Sequence, residues 1–478
     1  MNHIELDRSQ GKPLHSLVYE YVWNRIQRGE WLEHHKLPSV RVLAEEMKVN
    51  RLTVFKAYQQ LKEEKKVYVK DKSGYYVQPG VTMPFDDLES PIVFSYVHKS
   101  HLSEIHRVPA NYQFSYALID PNLLPNRYFS ESMLEIVERY PKMLSTYSTP
   151  QGDEELRQSL AHFFANKYGF YLTQNDIMIT SGSQQAIDLL ARMLVQPMDV
   201  VLMERPTYSA AIDMFRNQGA QIVPIDIYPY GYDLEQVEAY MKQFKPRLFY
   251  LNPTYHNPTG YTVPIEQRKK LVELAEQYRC LIIEDDPMHD IYFDHKPPLP
   301  FFSYSTEGCV IYICSFSKYV APGLRIAAIC CQPTIMKHLL TVKSLADNGT
   351  PLLNQKIFLH YFMSERLQQH IVKLRTALSI RKAVMEEALS VTNWKWDSPS
   401  GGLNLWIQLP ETLSLEKLLA KSIEHSISFV PGSICDPSKE LQSWIRLSYS
   451  YINEQQIKEG MKLLVQLAEQ VDQNHRQI

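Results

Sequence analysis

The sequence predicts a multidomain protein with two folded parts: a small, mainly helical N-terminal module that ends in a β-hairpin, and a large α/β domain with a mostly parallel central sheet. Three observations lead to this prediction. The chain has 478 residues, more than one compact core accommodates. Residues 1–78 combine helical periodicity with two short alternating segments, whereas from about residue 111 short apolar runs alternate with amphipathic ones. Between them, residues 79–110 contain Pro and acidic side chains without a sustained period and predict a linker.

The composition narrows the class of protein. Hydrophobic residues make up 45% of the chain and charged residues 22%, which argues against a disordered or disulfide-built protein. The start lacks a targeting signal, and no apolar run reaches about 18 residues, so we expect a cytoplasmic protein without a membrane partner. The six cysteines form no C-x-x-C pair, which favours buried reduced thiols over a metal site. Although the net charge is −3, Lys and Arg outnumber Asp and Glu in residues 1–78, a pattern typical of nucleic-acid-binding modules.

The N-terminal module contains three predicted helices. Apolar residues recur at helical spacing from Leu14 to Ile26, Ser39 can cap a second helix, and Asn50 can cap a third. The tight break before Asn50 gives a helix-turn-helix, whose second helix enters a DNA major groove with its N-terminal residues. Four side chains of the third helix are expected to be buried: Leu52, Phe55, Tyr58 and Leu61.

A β-hairpin follows the third helix. VYVK (67–70) and GYYV (74–77) alternate around a turn in which Gly74 tolerates positive φ. With the three helices before it, this hairpin makes residues 13–77 resemble a GntR-type winged helix-turn-helix domain. The resemblance implies phosphate contacts by Arg41 and Arg51, and groove contacts by Thr53 and Lys56. It also implies DNA backbone contacts by the wing, near Lys72 and Gly74.

Three motifs of the large domain follow apolar runs, at the sheet edge where ligands collect. TSGSQQ (180–185) joins a strand to a helix, and backbone N–H groups at such a turn suit a phosphate. NPTYHNPTG (252–260) follows the run LFYLN; without a ligand it reads as a Pro/Gly loop with Asx-turns. LIIEDD (281–286) places carboxylates at the end of a buried strand, where something cationic should meet one of them.

The fourth motif, SFSKYVAPGLR (315–325), contains Lys318. A lysine amine must be partly desolvated to act as a nucleophile at neutral pH. Ser315, Ser317 and Arg325 lie close to it in the sequence.

In this order, the motifs resemble those of fold-type I pyridoxal-phosphate enzymes, the aspartate aminotransferase superfamily, over residues 147–449. The resemblance implies an aminotransferase-like fold with a small C-terminal α+β subdomain, and pyridoxal 5'-phosphate as the cofactor. It makes Lys318 the Schiff-base lysine, Asp285 the partner of the pyridine nitrogen and Asn257 the donor to the phenolic oxygen. Arg446 matches the arginine that binds a substrate α-carboxylate. The other cofactor contacts that it implies are Ser183, Gln184, Tyr208, Ser315, Ser317 and Arg325.

Two points stay open at this site. Tyr208 resembles the aromatic residue beside the cofactor ring, but a core tyrosine explains it almost as well. Met288 stands where relatives commonly have a tyrosine that hydrogen-bonds the phenolic oxygen, and a methionine cannot donate that bond. The departure puts efficient turnover in doubt.

The combination of both parts resembles the MocR/GabR type of bacterial transcription regulator. This resemblance implies domains at 1–78 for DNA binding, 79–110 as linker, and 111–478 for cofactor binding, effector sensing and dimerisation. It implies a domain-swapped homodimer that binds an operator in double-stranded DNA. The large domain would sense an amine or amino-acid metabolite, or pyridoxal phosphate itself, through an internal aldimine.

Two other functions stay open. The chain could be an active aminotransferase with an appended regulatory head, with residual or half-reaction turnover as an intermediate case. It could also be a regulator whose large domain has lost the cofactor and only dimerises, although intact Lys318, Asp285 and Arg325 argue against this.

Overall fold

A computed structural model describes residues 13–27, 31, 35–64, 66–70, 74–78, 105 and 109–476. Contacts divide the chain into two compact units, residues 1–99 and 100–478. The predicted linker, residues 79–110, lies outside the described residues except for positions 105, 109 and 110. None of the described helices is long and apolar enough to cross a membrane.

The N-terminal unit has the predicted helices and hairpin. Ser39 Oγ accepts a hydrogen bond from Val42 N at 3.3 Å, and Asn50 Oδ1 accepts one from Leu52 N at 2.9 Å, so both predicted caps are confirmed. The hairpin strands are antiparallel, and Gly74, the first residue of β2, has φ +120°, a conformation that glycine tolerates. The elements are α1 (Leu14–Gln27), α2 (Val40–Glu46), α3 (Arg51–Glu63), β1 (Val67–Lys70) and β2 (Gly74–Val77).

The predicted buried face of α3 is partly wrong. Leu52 and Phe55 are 59% and 44% exposed, whereas Val54 and Ala57 are buried together with Tyr58 and Leu61, which were predicted correctly. The buried residues follow the spacing i, i+3, i+4, i+7, which places them on the side that packs against α1. Leu52 and Phe55 therefore lie on the outer face of α3.

The central sheet of the larger unit has the strand order β4-β11-β10-β9-β8-β5-β6-β7. The pairs β10/β9, β9/β8, β8/β5 and β5/β6 are parallel, whereas β11 runs antiparallel to both of its neighbours. The mostly parallel sheet predicted from the alternating pattern is thus confirmed. The strands are β4 (Ile177–Thr180), β5 (Val200–Arg205), β6 (Gln221–Tyr228), β7 (Gly231–Tyr232), β8 (Leu248–Leu251), β9 (Leu281–Asp286), β10 (Val310–Ser315) and β11 (Ala327–Cys330).

Helices cover both faces of this sheet. Ile283 of β9 packs in one apolar cluster and its neighbour Ile282 in another, because successive strand residues point to opposite faces. The helices of this unit are α4 (Asn126–Arg139), α5 (Glu154–Tyr168), α6 (Ser183–Leu194), α7 (Ser209–Asn217), α8 (Leu234–Phe244), α9 (Ile265–Tyr278), α10 (Pro333–Ala346), α11 (Leu352–Phe362), α12 (Arg366–Leu389), α13 (Leu415–Glu424) and α14 (Glu454–Arg476).

The predicted C-terminal α+β subdomain is also present. An antiparallel sheet of order β12-β13-β16-β15 packs with α12, α13 and α14 around a shared apolar core. The first strand of the unit, β3, pairs in parallel with β14 and so joins the C-terminal part. The strands are β3 (Tyr112–Gln113), β12 (Lys395–Trp396), β13 (Asn404–Gln408), β14 (Ile427–Ser428), β15 (Val430–Pro431) and β16 (Trp444–Ser448).

The parallel strands determine where the motifs lie. TSGSQQ begins on the last residue of β4, NPTYHNPTG follows β8, LIIEDD forms β9, and SFSKYVAPGLR begins on the last residue of β10. Because β8, β9 and β10 are mutually parallel, the residues at their carboxyl ends meet at one edge of the sheet.

Candidate functional site

One cavity of about 450 Å³ lies at this edge of the sheet. All of the residues predicted as cofactor or carboxylate contacts contribute to its lining: Ser183, Gln184, Tyr208, Asn257, Asp285, Ser315, Ser317, Lys318, Arg325 and Arg446. Other lining residues were not predicted as contacts: Tyr116, Ala117, Leu118, Ala210, Asn252, Pro287 and Met288.

Lys318 projects its amine into the cavity, where Nζ donates a hydrogen bond to the Ala117 carbonyl at 2.8 Å. Desolvation lowers the pKa of Lys318 to about 8, and the nearby charges of Arg446 and Arg325 act in the same direction, whereas Asp285 opposes them. At pH 7 about a tenth of the amine is therefore unprotonated, far more than for a lysine in water. This is the protonation state that a nucleophilic amine needs.

Asp285 is the second-last residue of β9, and its side chain is almost fully buried. Burial raises its pKa to about 7, while the hydrogen bond from Tyr250 OH to Oδ2, 2.8 Å long, lowers it. The other oxygen, Oδ1, is buried and makes no hydrogen bond within the described part of the chain. A buried acceptor without a partner at the wall of a cavity suits a cationic N–H donor on a ligand.

The carboxylates beside Asp285 have partners of their own. Glu284 lies 3.8 Å from the buried Arg268 and accepts backbone hydrogen bonds from residues 301 and 302. Asp286 lies 2.8 Å from His289 Nδ1. The expectation that a cation meets a carboxylate of this strand is confirmed at Glu284, which leaves Asp285 as the carboxylate that faces the cavity.

The turn between β4 and α6 faces Arg325. Gly182 has φ +86°, and Arg325 Nη2 donates to the Ser181 carbonyl at 3.2 Å. A Cβ atom on Gly182 would lie 2.4 Å from Arg325 Nη2, so the guanidinium would have to move from its present position. This part of the cavity suits a phosphate, because it is cationic and rich in hydrogen-bond donors. The groups that make it so are the start of α6, Ser315, Ser317 and Arg325.

Arg446 lines the cavity and is hydrogen-bonded to Asn257. Its Nη1 donates to Asn257 Oδ1 at 3.0 Å, its Nη2 donates to the Ser115 carbonyl, and its buried Nε makes no hydrogen bond within the described residues. Burial lowers the pKa of Arg446 from its ordinary value. Because Arg446 holds Oδ1 of Asn257, the NH2 group of that amide is the part left for a ligand.

Two further cavity residues bear on the open points. Gln184 Nε2 donates to Tyr208 OH at 2.8 Å, so the half-buried Tyr208 belongs to the cavity wall. Met288 is fully buried, lines the cavity and has no hydrogen-bond donor to offer a ligand.

Residues 114–120, which we call the strap, were not predicted as part of the site. Besides its bonds to Arg446 and Lys318, the strap receives hydrogen bonds from Ser450 Oγ to the Leu118 carbonyl at 2.6 Å and from Arg381 to Asp120 at 2.8 Å. The sequence FSYALID has no recognisable motif or period, and its position depends on the pairing of β3 with β14.

The predicted DNA contacts lie in the N-terminal unit. Arg41 of α2 and Arg51 of α3 are exposed, with Glu45 between them at 4.0 and 3.9 Å. Lys56 is exposed and Thr53 is half-buried on the same helix. Gly74 opens β2, whereas Lys72 lies outside the described residues.

Both units match protein-family models. Residues 129–464 match the model described as aminotransferase class I and II, and residues 14–77 match the model described as bacterial regulatory proteins, gntR family. Each match falls within one of the two compact units.

Similar proteins fall into two groups. Aromatic-amino-acid aminotransferase 1 of Thermococcus litoralis is 32% identical over 72% of this chain and 85% of its own length. The uncharacterized HTH-type transcriptional regulator YisV of Bacillus subtilis is 28% identical over 96% of this chain and 97% of its own length. Among solved structures, Pyrococcus horikoshii kynurenine aminotransferase, in complex with PMP, KYN and KYA, has a TM-score of 0.74 and 30% identity, over 80% of this chain and 98% of its own.

Proposed function

Because the chain belongs to the class I and II aminotransferase family and carries a gntR-family helix-turn-helix domain, we propose that it is a DNA-binding transcription regulator controlled by ligands of a pyridoxal-phosphate site. In this proposal residues 1–78 bind DNA, residues 79–110 are the linker, and residues 111–478 bind the cofactor, sense the effector and dimerise. The protein acts in the cytoplasm on an operator in double-stranded DNA.

The cavity residues fit pyridoxal phosphate. Asp285 Oδ1, which has no partner among the described residues, would accept from the ring nitrogen, the Asn257 amide would donate to the phenolic oxygen, and Lys318 would form the covalent link. Pyridoxal phosphate, when bound, supplies an aldehyde that condenses reversibly with amines and a ring that withdraws electrons. The proposed remaining contacts are Ser183, Gln184, Tyr208, Ser315, Ser317 and Arg325.

Arg446 would bind the carboxylate of the effector. Its present partners on the cavity side are an amide oxygen and a backbone carbonyl, both neutral, and its Nε has none within the described residues. A carboxylate is a stronger partner for a buried guanidinium than a neutral carbonyl is. We therefore expect an amino acid to replace the Ser115 carbonyl on Arg446.

The strap gives the effector a route to the linker, and this is the observation that carries the proposal. Its carbonyls at Ser115 and Ala117 bind Arg446 and Lys318, the two groups that an amino-acid effector would engage. Only residues 111–113, which include β3, separate the strap from the linker, so we expect release of the strap at these two points to change the constraint on the linker's end. A ligand that binds the held and released arrangements unequally shifts the balance between them.

The N-terminal unit would read the operator with the exposed N-terminal part of α3. We propose phosphate contacts for Arg41 and Arg51, groove contacts for Thr53 and Lys56, and wing contacts for Lys72 and Gly74.

A homodimer, domain-swapped between its N-terminal units, is part of the same proposal. Large apolar side chains are exposed on α4 and the segment after it, where a second copy of the chain would cover them. They are Met133 at 38%, Leu134 at 68%, Leu144 at 70% and Tyr147 at 86% exposure. The two N-terminal units of one dimer would then bind the two half-sites of one operator.

The test uses the purified full-length protein, pyridoxal phosphate, and a DNA duplex that the protein itself selects from a random-sequence pool. Borohydride treatment is expected to fix a pyridoxyl group on Lys318. Titration with individual amino acids is expected to change the visible absorption and the DNA affinity at the same concentration for at least one of them.

Lys318→Ala separates the two readouts, and Lys337→Ala, which removes an exposed lysine of α10, is the matched control. The first variant is expected to bind DNA without responding to any amino acid, and the second to behave as the wild type. A wild-type protein that borohydride leaves unlabelled at Lys318 would contradict the cofactor assignment. A Lys318→Ala variant that still responds would contradict the sensing route.

An active aminotransferase is the second candidate function. The observation that favours it is the lowered pKa of Lys318, about 8, beside a complete carboxylate and phosphate pocket. Met288, which offers no donor at the cavity wall, argues against efficient turnover. Continuous formation of a keto acid over many turnovers, from one amino acid and one keto-acid acceptor, would establish this function in place of pure sensing.

A further inference from the structure

A buried lysine on α10 lies behind the proposed phosphate pocket without lining it. Lys343 is completely buried, and its Nζ lies 2.6 Å from both carboxylate oxygens of Asp347. It also lies 3.0 Å from Gln185 Oε1 and 3.3 Å from Thr350 Oγ1. Burying an ammonium group is unfavourable unless it is fully paired. A lysine at this position is therefore not explained by packing alone.

Gln185 connects Lys343 and Asp347 to the turn between β4 and α6 through hydrogen bonds. Its Oε1 accepts from Ser181 N at 2.7 Å as well as from Lys343, and its Nε2 donates to Asp347 at 2.7 Å. The side-chain amide of Gln185 is therefore held at both ends. Its orientation determines where the Ser181 N–H points.

The peptide groups of Ser181 connect this network to Arg325. The Ser181 N–H is held by Gln185, and the Ser181 carbonyl accepts from Arg325 Nη2 at 3.2 Å. Thr350 Oγ1, the fourth member of the network, donates to the Ile179 carbonyl of β4 at 3.3 Å. The turn that precedes the first residues of α6 is thus fixed from its outer side by Lys343, Asp347 and Thr350.

We infer that Lys343 and Asp347 are positioning residues for phosphate binding: through Gln185 they hold the Ser181 turn, and with it Arg325 and the start of α6, in the geometry that receives the phosphate. This inference rests on the proposed function in that it concerns the same cofactor site. Neither residue contacts the cavity, so both act through Gln185 and Ser181.

The test compares pyridoxal phosphate with pyridoxal, which has the same ring and aldehyde but no phosphate. Dissociation constants of both are measured by visible absorption on the full-length protein, without DNA. The conservative variant Asp347→Asn keeps the shape of the side chain and removes its charge, and Lys343→Met removes the ammonium group. Each is expected to weaken pyridoxal phosphate by about tenfold or more while leaving pyridoxal within about twofold.

Lys356→Met is the matched control, because Lys356 is a buried lysine of α11 that is paired with Asp153 at 2.6 Å and Glu155 at 2.8 Å, away from the cavity. It is expected to bind both compounds as the wild type does. If Lys343→Met does not fold, Asp347→Asn and Gln185→Leu carry the same comparison.

Equal weakening of pyridoxal phosphate and pyridoxal in these variants would overturn the inference, because it would indicate general damage to the cavity. Unchanged affinities for both, or a wild-type protein that does not prefer the phosphorylated compound, would overturn it too. A failure of amino acids to change DNA binding would overturn only the sensor proposal, since no DNA enters this comparison.

Discussion

Arg446 Nη1 and Asn257 Oδ1 are joined by a hydrogen bond of 3.0 Å. The residue proposed to bind the effector carboxylate therefore also orients the amide proposed to contact the cofactor. A carboxylate that draws Arg446 toward itself would change the support of Asn257 at the same time. Binding of an effector carboxylate to Arg446 and the contact of Asn257 with the cofactor are therefore linked through this pair.

Arg446→Gln is expected to abolish discrimination between amino acids and amines that lack a carboxylate. The loss of a buried charged hydrogen-bond pair corresponds to about 2–5 kcal/mol. The concentration of the effective amino acid needed for half-maximal spectral change should rise at least about thirtyfold, whereas that of its decarboxylated amine should change little. Equal shifts for both compounds would contradict the assignment of Arg446.

Gly182→Ala is expected to lose most of the affinity for pyridoxal phosphate. The new Cβ would lie 2.4 Å from Arg325 Nη2, and φ of +86° is unfavourable for alanine. Gly323→Ala, two residues before Arg325, is the matched control, because a Cβ there meets nothing within 4 Å. Absorption titrations of the two variants should differ by about tenfold or more; similar affinities would argue against the Gly182–Arg325 packing.

Much of the site could be predicted because its residues follow strands. Strand ends are recognisable from local pattern, and parallel strands bring their carboxyl ends together, so Asp285 and Lys318 could be placed at one cavity before any contact was known. The caps of α2 and α3 could be predicted for a similar reason, since a cap depends on residues within one turn.

Features that depend on distant packing could not be predicted in the same way. The buried face of α3 is decided by α1, which selects Val54 and Ala57 and leaves Leu52 and Phe55 outside. The position of the strap depends on the pairing of β3 with β14, which lies near the other end of the chain. Its sequence, FSYALID, has no periodic pattern from which this position could be predicted.

The rate at which the protein captures pyridoxal phosphate should rise with pH up to about 8 and then level off. The unprotonated amine of Lys318 is the nucleophile, and its pKa is lowered to about 8 by desolvation and by the charges of Arg446 and Arg325. Below that pH the reactive fraction falls tenfold per unit. Stopped-flow absorption across the pH range measures the midpoint.

Two charge variants should move this midpoint in opposite directions. Arg446→Gln removes a positive charge that disfavours the ammonium form, so the midpoint should rise. Asp285→Asn removes a negative charge that favours it, so the midpoint should fall. Shifts of the same sign in both variants would show that the charges do not act on Lys318 as the structure indicates.

Arg51→Ala is expected to weaken DNA binding by about tenfold and to reduce the salt dependence of binding by about one phosphate contact. The borohydride labelling of Lys318 should be unchanged, because Arg51 belongs to the other compact unit.

Glu45→Gln tests the same arginines in the opposite direction. The Glu45 carboxylate lies 4.0 and 3.9 Å from Arg41 and Arg51, where it competes with DNA phosphates for both guanidiniums. Its removal should tighten binding, as measured by fluorescence anisotropy at several salt concentrations. Weaker binding in Glu45→Gln would show that Glu45 holds the arginines in place for DNA, and loss of both DNA binding and labelling in Arg51→Ala would contradict a separate DNA-binding module.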